Sequence, residues 1–411
     1  MNQLGKQTVC VMGLGYIGLP TATVIANSDQ YNVVGYDINK KVVDSLANGK
    51  LHISEPLLDE EFAKALSSGN LLISPTIPSA DIYIIAVPTP FLEDKKPDLS
   101  YIKSASQMIA SQLSHEHLII LESTSPPGAT ESLKSWVESC LTEKNNETLK
   151  INYAYCPERI IPGNMIKELV DNDRVIGGHN HQSTELAKNF YSSFINGQCH
   201  ETDSRTAELV KLTENSFRDV NIAFANELSL ICEQQNVNAF ELIRLSNHHP
   251  RVNILQPGVG VGGHCIAVDP WFLVDSNPAE SNLIKQARVV NDSKPVHILN
   301  RITDFILKND INEISLMGLS FKPDIDDLRE SPALQIAKNL IQQSKYEIKI
   351  CEPNITELPP FMKKSNVELV SLNEALKLNT IVFLVAHSQF KSIEKQLLEN
   401  KTIFDPAGIF Q

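Results

Sequence analysis

Thr8-Val9-Cys10-Val11-Met12-Gly13-Leu14-Gly15-Tyr16-Ile17-Gly18-Leu19-Pro20 decides the fold. A short apolar run enters three glycines spaced G-x-G-x-x-G, and an amphipathic stretch over residues 20–27 leaves them. Asp37 closes the next apolar run, residues 32–36, about twenty positions beyond the last glycine. Each part of that spacing has a physical reason. Gly13, Gly15 and Gly18, with Tyr16 and Ile17 between them, let the backbone approach a pyrophosphate at the positive end of a helix. Asp37 accepts hydrogen bonds from a ribose 2′-hydroxyl and repels a 2′-phosphate, which favours NAD over NADP.

Outward from that loop, strand-like runs recur at residues 82–87, 118–121, 152–155 and 174–176, with helical stretches at 40–48 and 101–112. The alternation predicts a parallel sheet with helices on both faces. The polar run 143–150 reads as a surface insertion. Residues 204–235 lack glycine and proline and repeat apolar residues at helical spacing, which predicts one long helix, able to join two domains or line a subunit interface. A glycine-dense loop over 247–270 and a helix around 282–308 follow. Strand-like runs return at 313–318, 347–351, 381–385 and 402–404. The fold class is α/β, with two Rossmann-like doubly wound units joined by a long central helix. The second unit has Gly318 at a strand end but no second G-x-G-x-x-G.

Composition narrows the partners. The 411 residues are 42% apolar and 21% charged, ordinary for a globular chain of two or three domains. The net charge of −13 disfavours nucleic acid or an acidic membrane as partner. No stretch approaches the ~20 apolar residues that span a bilayer, and a cytoplasmic enzyme is expected. Seven scattered cysteines without a C-x-x-C pair suggest neither a disulfide framework nor a metal site.

Two further segments carry chemistry. Gly258-Val259-Gly260-Val261-Gly262-Gly263-His264-Cys265-Ile266-Ala267-Val268-Asp269-Pro270 sets a thiol among glycines whose N–H groups can face a ligand. A thiolate is favoured beside such groups. If a helix begins at Cys265, Asp269 shares its face. The plainer account of a lone cysteine is a core residue. On the long helix, Glu208, Lys211, Asn215 and Arg218 form one polar stripe at spacings of three and four. Such a stripe is either a solvated face or a lysine–asparagine pair serving proton transfer and oxyanion binding.

With these segments in hand, the chain resembles the UDP-glucose/GDP-mannose dehydrogenase family along its whole length. The resemblance also rests on Ala86-Val87-Pro88-Thr89-Pro90, Glu122-Ser123-Thr124, Cys156-Pro157-Glu158-Arg159, the loop from His249-Pro250-Arg251 to Trp271, and Phe321-Lys322-Pro323 with Asp327-Leu328-Arg329-Glu330-Ser331-Pro332. The run Cys265 to Phe272 points to the branch that oxidises UDP-N-acetyl-D-mannosamine. The resemblance implies an NAD-binding domain over 1–200, a central helical dimerisation and catalytic domain over 201–300, and a Rossmann-like UDP-sugar-binding domain over 301–411. It implies that a sugar C6 alcohol becomes a carboxylate in a four-electron oxidation by two NAD, for bacterial surface polysaccharide synthesis.

It assigns Cys265 as the nucleophile, Lys211 and Asn215 as oxyanion stabilisers, Lys211 also to proton transfer, and Asp269, Thr124 and Glu158 to the same network. Thr89, Thr124 and Arg329 join the cofactor contacts. Arg159, Ile160, Lys211, Asn215, Arg218, His249, Arg251, Gly262, Phe321 and Lys322 would hold sugar and diphosphate. Arg251 would come from the second subunit of a homodimer. Glucose-oxidising relatives usually carry another glutamate four residues after the one matched by Glu158; here that position is Pro162, which has no acid–base capacity. UDP-N-acetylglucosamine or UDP-glucose oxidation stands as an alternative, and a two-electron hydroxyacid dehydrogenase, which needs no cysteine, as one of another class.

Overall fold

The computed structural model describes residues 5–92, 94–143, 149–161, 163–263, 265–343 and 346–410. Pro162, His264 and residues 144–148 of the expected insertion lie outside the described residues. The first sheet contains Thr8–Met12 (β1), Asn32–Tyr36 (β2), Leu71–Ser74 (β3), Ile82–Ile85 (β4), His117–Leu121 (β5), Ile151–Tyr155 (β6), Arg174–Gly178 (β7) and Cys199–Asp203 (β8). Their order is β3-β2-β1-β4-β5-β6-β7-β8. The order reverses between β1 and β4, and the crevice at the carboxyl ends of those strands is where such sheets take ligands.

The two faces of β1 explain its sequence. Val9 and Val11 pack with Leu19, Ile25 and Phe62 on one side. Cys10 and Met12 pack with Ile102, Ile109, Leu133 and Val137 on the other. A strand covered on both faces reads as a continuous apolar run, and β1, β4 and β5 do.

The second sheet contains Glu313–Met317 (β9), Glu347–Cys351 (β10), Val367–Leu369 (β11), Thr380–Phe383 (β12) and Thr402–Phe404 (β13), all parallel, in the order β11-β10-β9-β12-β13. That is the arrangement of β3-β2-β1-β4-β5. The likeness extends to the turn after the first strand. Gly13 has φ +92°, donates its N–H to Tyr36 at the end of β2, and a Cβ on it would lie 2.6 Å from the Ala86 carbonyl oxygen. Gly318 has φ +96°, donates to Cys351 at the end of β10, and a Cβ on it would lie 2.5 Å from Val385 Cβ. The chain therefore uses one strand–glycine device twice, although no sequence repeat announces it.

Two compact units result. One runs to Glu214 and includes Trp271–Ser276; the other takes Asn215–Pro270 and the chain from Asn277 onward. The long helix, Ser204–Gln234, passes from the first unit into the second. Its bounds and those of the helix Asn282–Lys308 follow the sequence pattern closely.

The structure corrects the expected sheet in two ways. Strands β3, β8 and β11 lacked a signal, and β7 runs antiparallel to β6. All three unforeseen strands lie at sheet edges. β8 is the polar Cys-His-Glu-Thr-Asp and β11 has three residues, so neither shows the buried apolar run of a central strand.

Gly318→Ala tests the repeated device. Both the positive φ and the approach of Val385 oppose a side chain, so the variant should be less stable by about 1–3 kcal/mol in denaturant titration, with NAD affinity unchanged.

Candidate active site

The glycine turn of the first unit divides its labour. Gly13 and Gly18 are demanded from within: a Cβ on Gly18 would lie 1.8 Å from the Gly13 carbonyl oxygen. Gly15 is exposed, and a Cβ there would meet nothing within 4 Å. Its backbone thus faces open space at the start of the helix Gly18–Asn27, with Tyr16 and Ile17 half-buried beside it. Asp37 Oδ2 accepts from the Leu14 N–H at 2.8 Å and Oδ1 from the Asn39 N–H at 2.8 Å. Each oxygen retains a lone pair, and the side chain is half-buried. This turn and acid fit a dinucleotide. Thr89 Oγ1 donates to the Thr124 carbonyl at 2.6 Å, tying the loop after β4 to the loop after β5.

In the second unit the cysteine loop is fastened along its length. The Gly258 N–H donates to Asn226 Oδ1 at 2.9 Å. A Cβ on Gly260 would lie 2.8 Å from Pro295, on Gly262 2.3 Å from the Glu330 carbonyl oxygen, and on Gly263 2.7 Å from the Phe321 ring. These three glycines admit the close approach of neighbouring chain. Arg288, itself buried, reaches the Ile266 carbonyl at 3.5 Å and Asp219 at 2.6 Å. Cys265 is exposed. Its carbonyl accepts the Asp269 N–H at 2.9 Å, so a turn from Cys265 leads into the helix Asp269–Ser276. Buried Asp269 Oδ2 accepts from Asn215 Nδ2 at 2.5 Å. A charge-assisted bond in so dry a place orients both groups firmly.

The expected polar stripe on the long helix splits into separate tasks. Glu208 is buried and accepts from the N–H groups of Gly128 (2.6 Å) and Thr130 (2.8 Å) and from the Thr130 hydroxyl (2.7 Å). It serves the open N-terminus of the helix Ala129–Glu143, where no intrahelical acceptor exists. Burial raises its pKa, against those hydrogen bonds. Half-buried Lys211 donates from Nζ to the Glu158 carbonyl at 2.7 Å. Arg218 is exposed. Arg159 pairs with Glu214 through Nε (3.1 Å) and Nη2, and Ile160 is half-buried beside it. Beyond Ile160, Glu55 accepts from the N–H groups of Gly163 (2.9 Å) and Met165 (2.8 Å).

Glu158 leads to residues the sequence did not single out for a role. Its Oε2 lies 3.0 Å from Arg174 Nη2, and Arg174 also meets Glu122 at 3.7 Å; all three are buried. In the second unit, His249 and Arg251 are exposed on a loop that Asn247 clips by two bonds to Ile254, at 2.9 and 2.7 Å. Phe321 and Lys322 are half-buried, and exposed Arg329 forks onto Asp327.

Three sequence profiles of one family cover the chain: the NAD binding domain of the UDP-glucose/GDP-mannose dehydrogenase family over residues 7–195, its central domain over 205–293 and its UDP binding domain over 315–411. The chain belongs to this family. It is an NAD-dependent dehydrogenase. It is 49% identical over 402 residues to the UDP-N-acetyl-D-mannosamine dehydrogenase of Campylobacter jejuni, covering 96% of this chain and 98% of that one. It is 48% identical over 410 residues to the NDP-N-acetyl-D-galactosaminuronic acid dehydrogenase of Ralstonia nicotianae, covering 98% and 96%. The solved UDP-D-ManNAc dehydrogenase of Pyrococcus horikoshii superposes with a TM-score of 0.88 at 37% identity, covering 98% of this chain and 96% of that one. Among the described residues no group of three His, Cys, Asp or Glu side chains is placed to hold a metal, and no helix is long and apolar enough to cross a membrane.

Asp37→Ala tests the acid of the cofactor turn. It removes the open lone pairs that a ribose hydroxyl would use and a brace from Leu14, so the KM for NAD should rise roughly tenfold, with a smaller fall in kcat.

Proposed function

We propose that this dehydrogenase oxidises the C6 alcohol of UDP-N-acetyl-D-mannosamine to UDP-N-acetyl-D-mannosaminuronate, for bacterial surface polysaccharide synthesis in the cytoplasm. The observation that carries the reading is an exposed thiol on a fastened loop, one turn from the Asp269–Asn215 pair. NAD, when bound, accepts the hydride lost from C6 in each of the two oxidations. Cys265 attacks the C6 aldehyde through Sγ and forms a thiohemiacetal; loss of the second hydride leaves a thioester, and water releases the acid and returns the thiol. Lys211 and Asn215 stabilise the negative oxygen on C6, Lys211 moves the proton, and Asp269, Thr124 and Glu158 order water.

Gly13, Gly15, Tyr16, Ile17, Gly18, Asp37, Thr89, Thr124 and Arg329 hold the cofactor, and Arg159, Ile160, Arg218, His249, Arg251, Gly262, Phe321 and Lys322 hold the nucleotide sugar. The pairing of Arg159 with Glu214 suits it to a neutral sugar better than to a diphosphate. The chain acts as a homodimer with Arg251 reaching into the neighbouring subunit. Phe217 (67% exposed), Phe224 (52%) and Ile231 (50%) recur every seven residues on the long helix, an apolar stripe that a second copy would cover. The 48% identity to the Ralstonia nicotianae enzyme favours a second reading, an N-acetylgalactosamine sugar.

The test is NADH yield on UDP-N-acetylmannosamine, UDP-N-acetylgalactosamine, UDP-N-acetylglucosamine and UDP-glucose. Two NADH per N-acetylmannosamine sugar are expected; one NADH with free aldehyde rejects the thioester route. Cys265→Ser should stop before acid release, because an alkoxide leaves far less readily than a thiolate.

A further inference from the structure

The first unit buries a charged cluster of which the proposed chemistry uses only Glu158. Arg174 opens β7, which runs against its neighbour β6, so its side chain joins the carboxyl-end loops of β5 and β6. There it meets Glu158 at 3.0 Å and Glu122 at 3.7 Å. The guanidinium carbon lies 4.7 Å from the centre of the Tyr191 ring. The Tyr191 hydroxyl donates to Glu122 Oε1 at 2.7 Å, and Arg174 Nη1 lies 3.9 Å from Cys156 Sγ. Thr21, on the helix that leaves the glycine turn, also faces Glu122. Glu122 Oε2 has no hydrogen-bond partner, and neither does Arg174 Nε. Two carboxylates thus share one cation away from water.

This arrangement reaches Lys211 through Glu158. The Glu158 side chain is fixed by Arg174 and by the Arg159 N–H (2.7 Å), while its carbonyl takes the Lys211 ammonium (2.7 Å). We propose that Arg174 and Glu122 are positioning residues for the oxidation: Arg174 holds Glu158 so that its carbonyl aims Lys211, and Glu122 sets how firmly, by competing for the same guanidinium. The proposal rests on the reading of Lys211 as the proton-transfer group.

The competition is governed by protonation. Burial pushes the Glu122 carboxyl up to about 7; Arg174 pulls it down and Glu158 pushes it up, with the bond from Tyr191 and the nearby Thr21 hydroxyl pulling it down. Burial likewise holds the Cys156 thiol near 12 and the Tyr191 hydroxyl well above its ordinary value, so both stay neutral in this range. Below neutrality Glu122 is uncharged and Arg174 belongs to Glu158. Above it the two carboxylates divide the cation.

The experiment uses the full chain with NAD and UDP-N-acetylmannosamine, with folding of every variant checked by circular dichroism. Arg174→Lys should lower kcat roughly tenfold with the sugar KM little changed, since misaiming costs the transition state more than binding. In a Lys211→Ala background the same substitution should cost less than about twofold, because the group it aims is gone. Additive losses, or an unchanged kcat in the parent, would overturn the proposal. Glu122→Gln, nearly isosteric, should remove an ionisation near neutral pH from the kcat profile; superimposable profiles would also overturn it, and this arm decides alone if Arg174→Lys does not fold. A Lys211→Ala variant at full rate would instead sink the reading of Lys211 itself.

Discussion

A flexible loop has to hold a sulfur atom still. Residues 258–269 contain four glycines, and a glycine-rich chain loses more freedom on ordering than any other. The fold meets that cost with fixings at short intervals: Asn226 at Gly258, Pro295 and the 330–332 segment at Gly260 and Gly262, Phe321 at Gly263, Arg288 at Ile266 and Asn215 at Asp269. The glycines are then the means of fastening, because only a residue without Cβ lets the neighbouring backbone and rings come so near. Cys265 stays exposed in the midst of it. The proposed attack needs that accessibility, and its geometry needs the restraint.

The fixings draw on buried charge. Arg288 pairs with Asp219 and Asp292 and is 1% exposed; Arg174 plays the comparable part in the first unit. Burying ions is expensive, and removing one partner of such a pair commonly costs about 3–5 kcal/mol. Packing alone does not call for these groups. Each instead binds a segment that carries a residue of the proposed chemistry: Arg288 the turn at Cys265, Arg174 the strand end at Glu158. Glu208 and Glu55 do the same with anions, receiving N–H groups at Gly128, Thr130, Gly163 and Met165 that no helix or strand supplies with an acceptor.

The sequence made the central strands, the glycine turn and both long helices legible, because each has a strong period or a full motif. It hid three of the four edge strands, whose half-exposed residues carry little pattern: Leu72, at the rim, is 61% exposed. It placed Lys211 and Asn215 on one helical face but could not say what each would meet, since their partners are 53 and 54 residues away. Glu208 looked like a member of that stripe and is a support for another helix. Glu122 did leave a trace, a carboxylate directly after the wholly buried β5, where a charge needs an explanation. Arg288 left none, being one arginine among many on a long helix.

Two nucleotide-binding folds in one chain run the risk of each mistaking the other's ligand. The twin arrangement of strands places Glu352, just after β10, where Asp37 stands after β2. Its Oε2 already receives the N–H groups of Leu319 (2.7 Å) and Ser320 (3.0 Å) and His387 Nε2 (3.1 Å), and its Oε1 receives Asn354. Burial would lift its pKa, but His387 and those N–H groups hold it below the usual carboxylate range. His387 accepts the Asp324 N–H on Nδ1, which leaves Nε2 carrying the proton. Every lone pair a ribose would seek is thereby occupied from inside. The acid after the second strand is thus spent inside the second unit, whereas the acid at the same place in the first keeps lone pairs for a ligand.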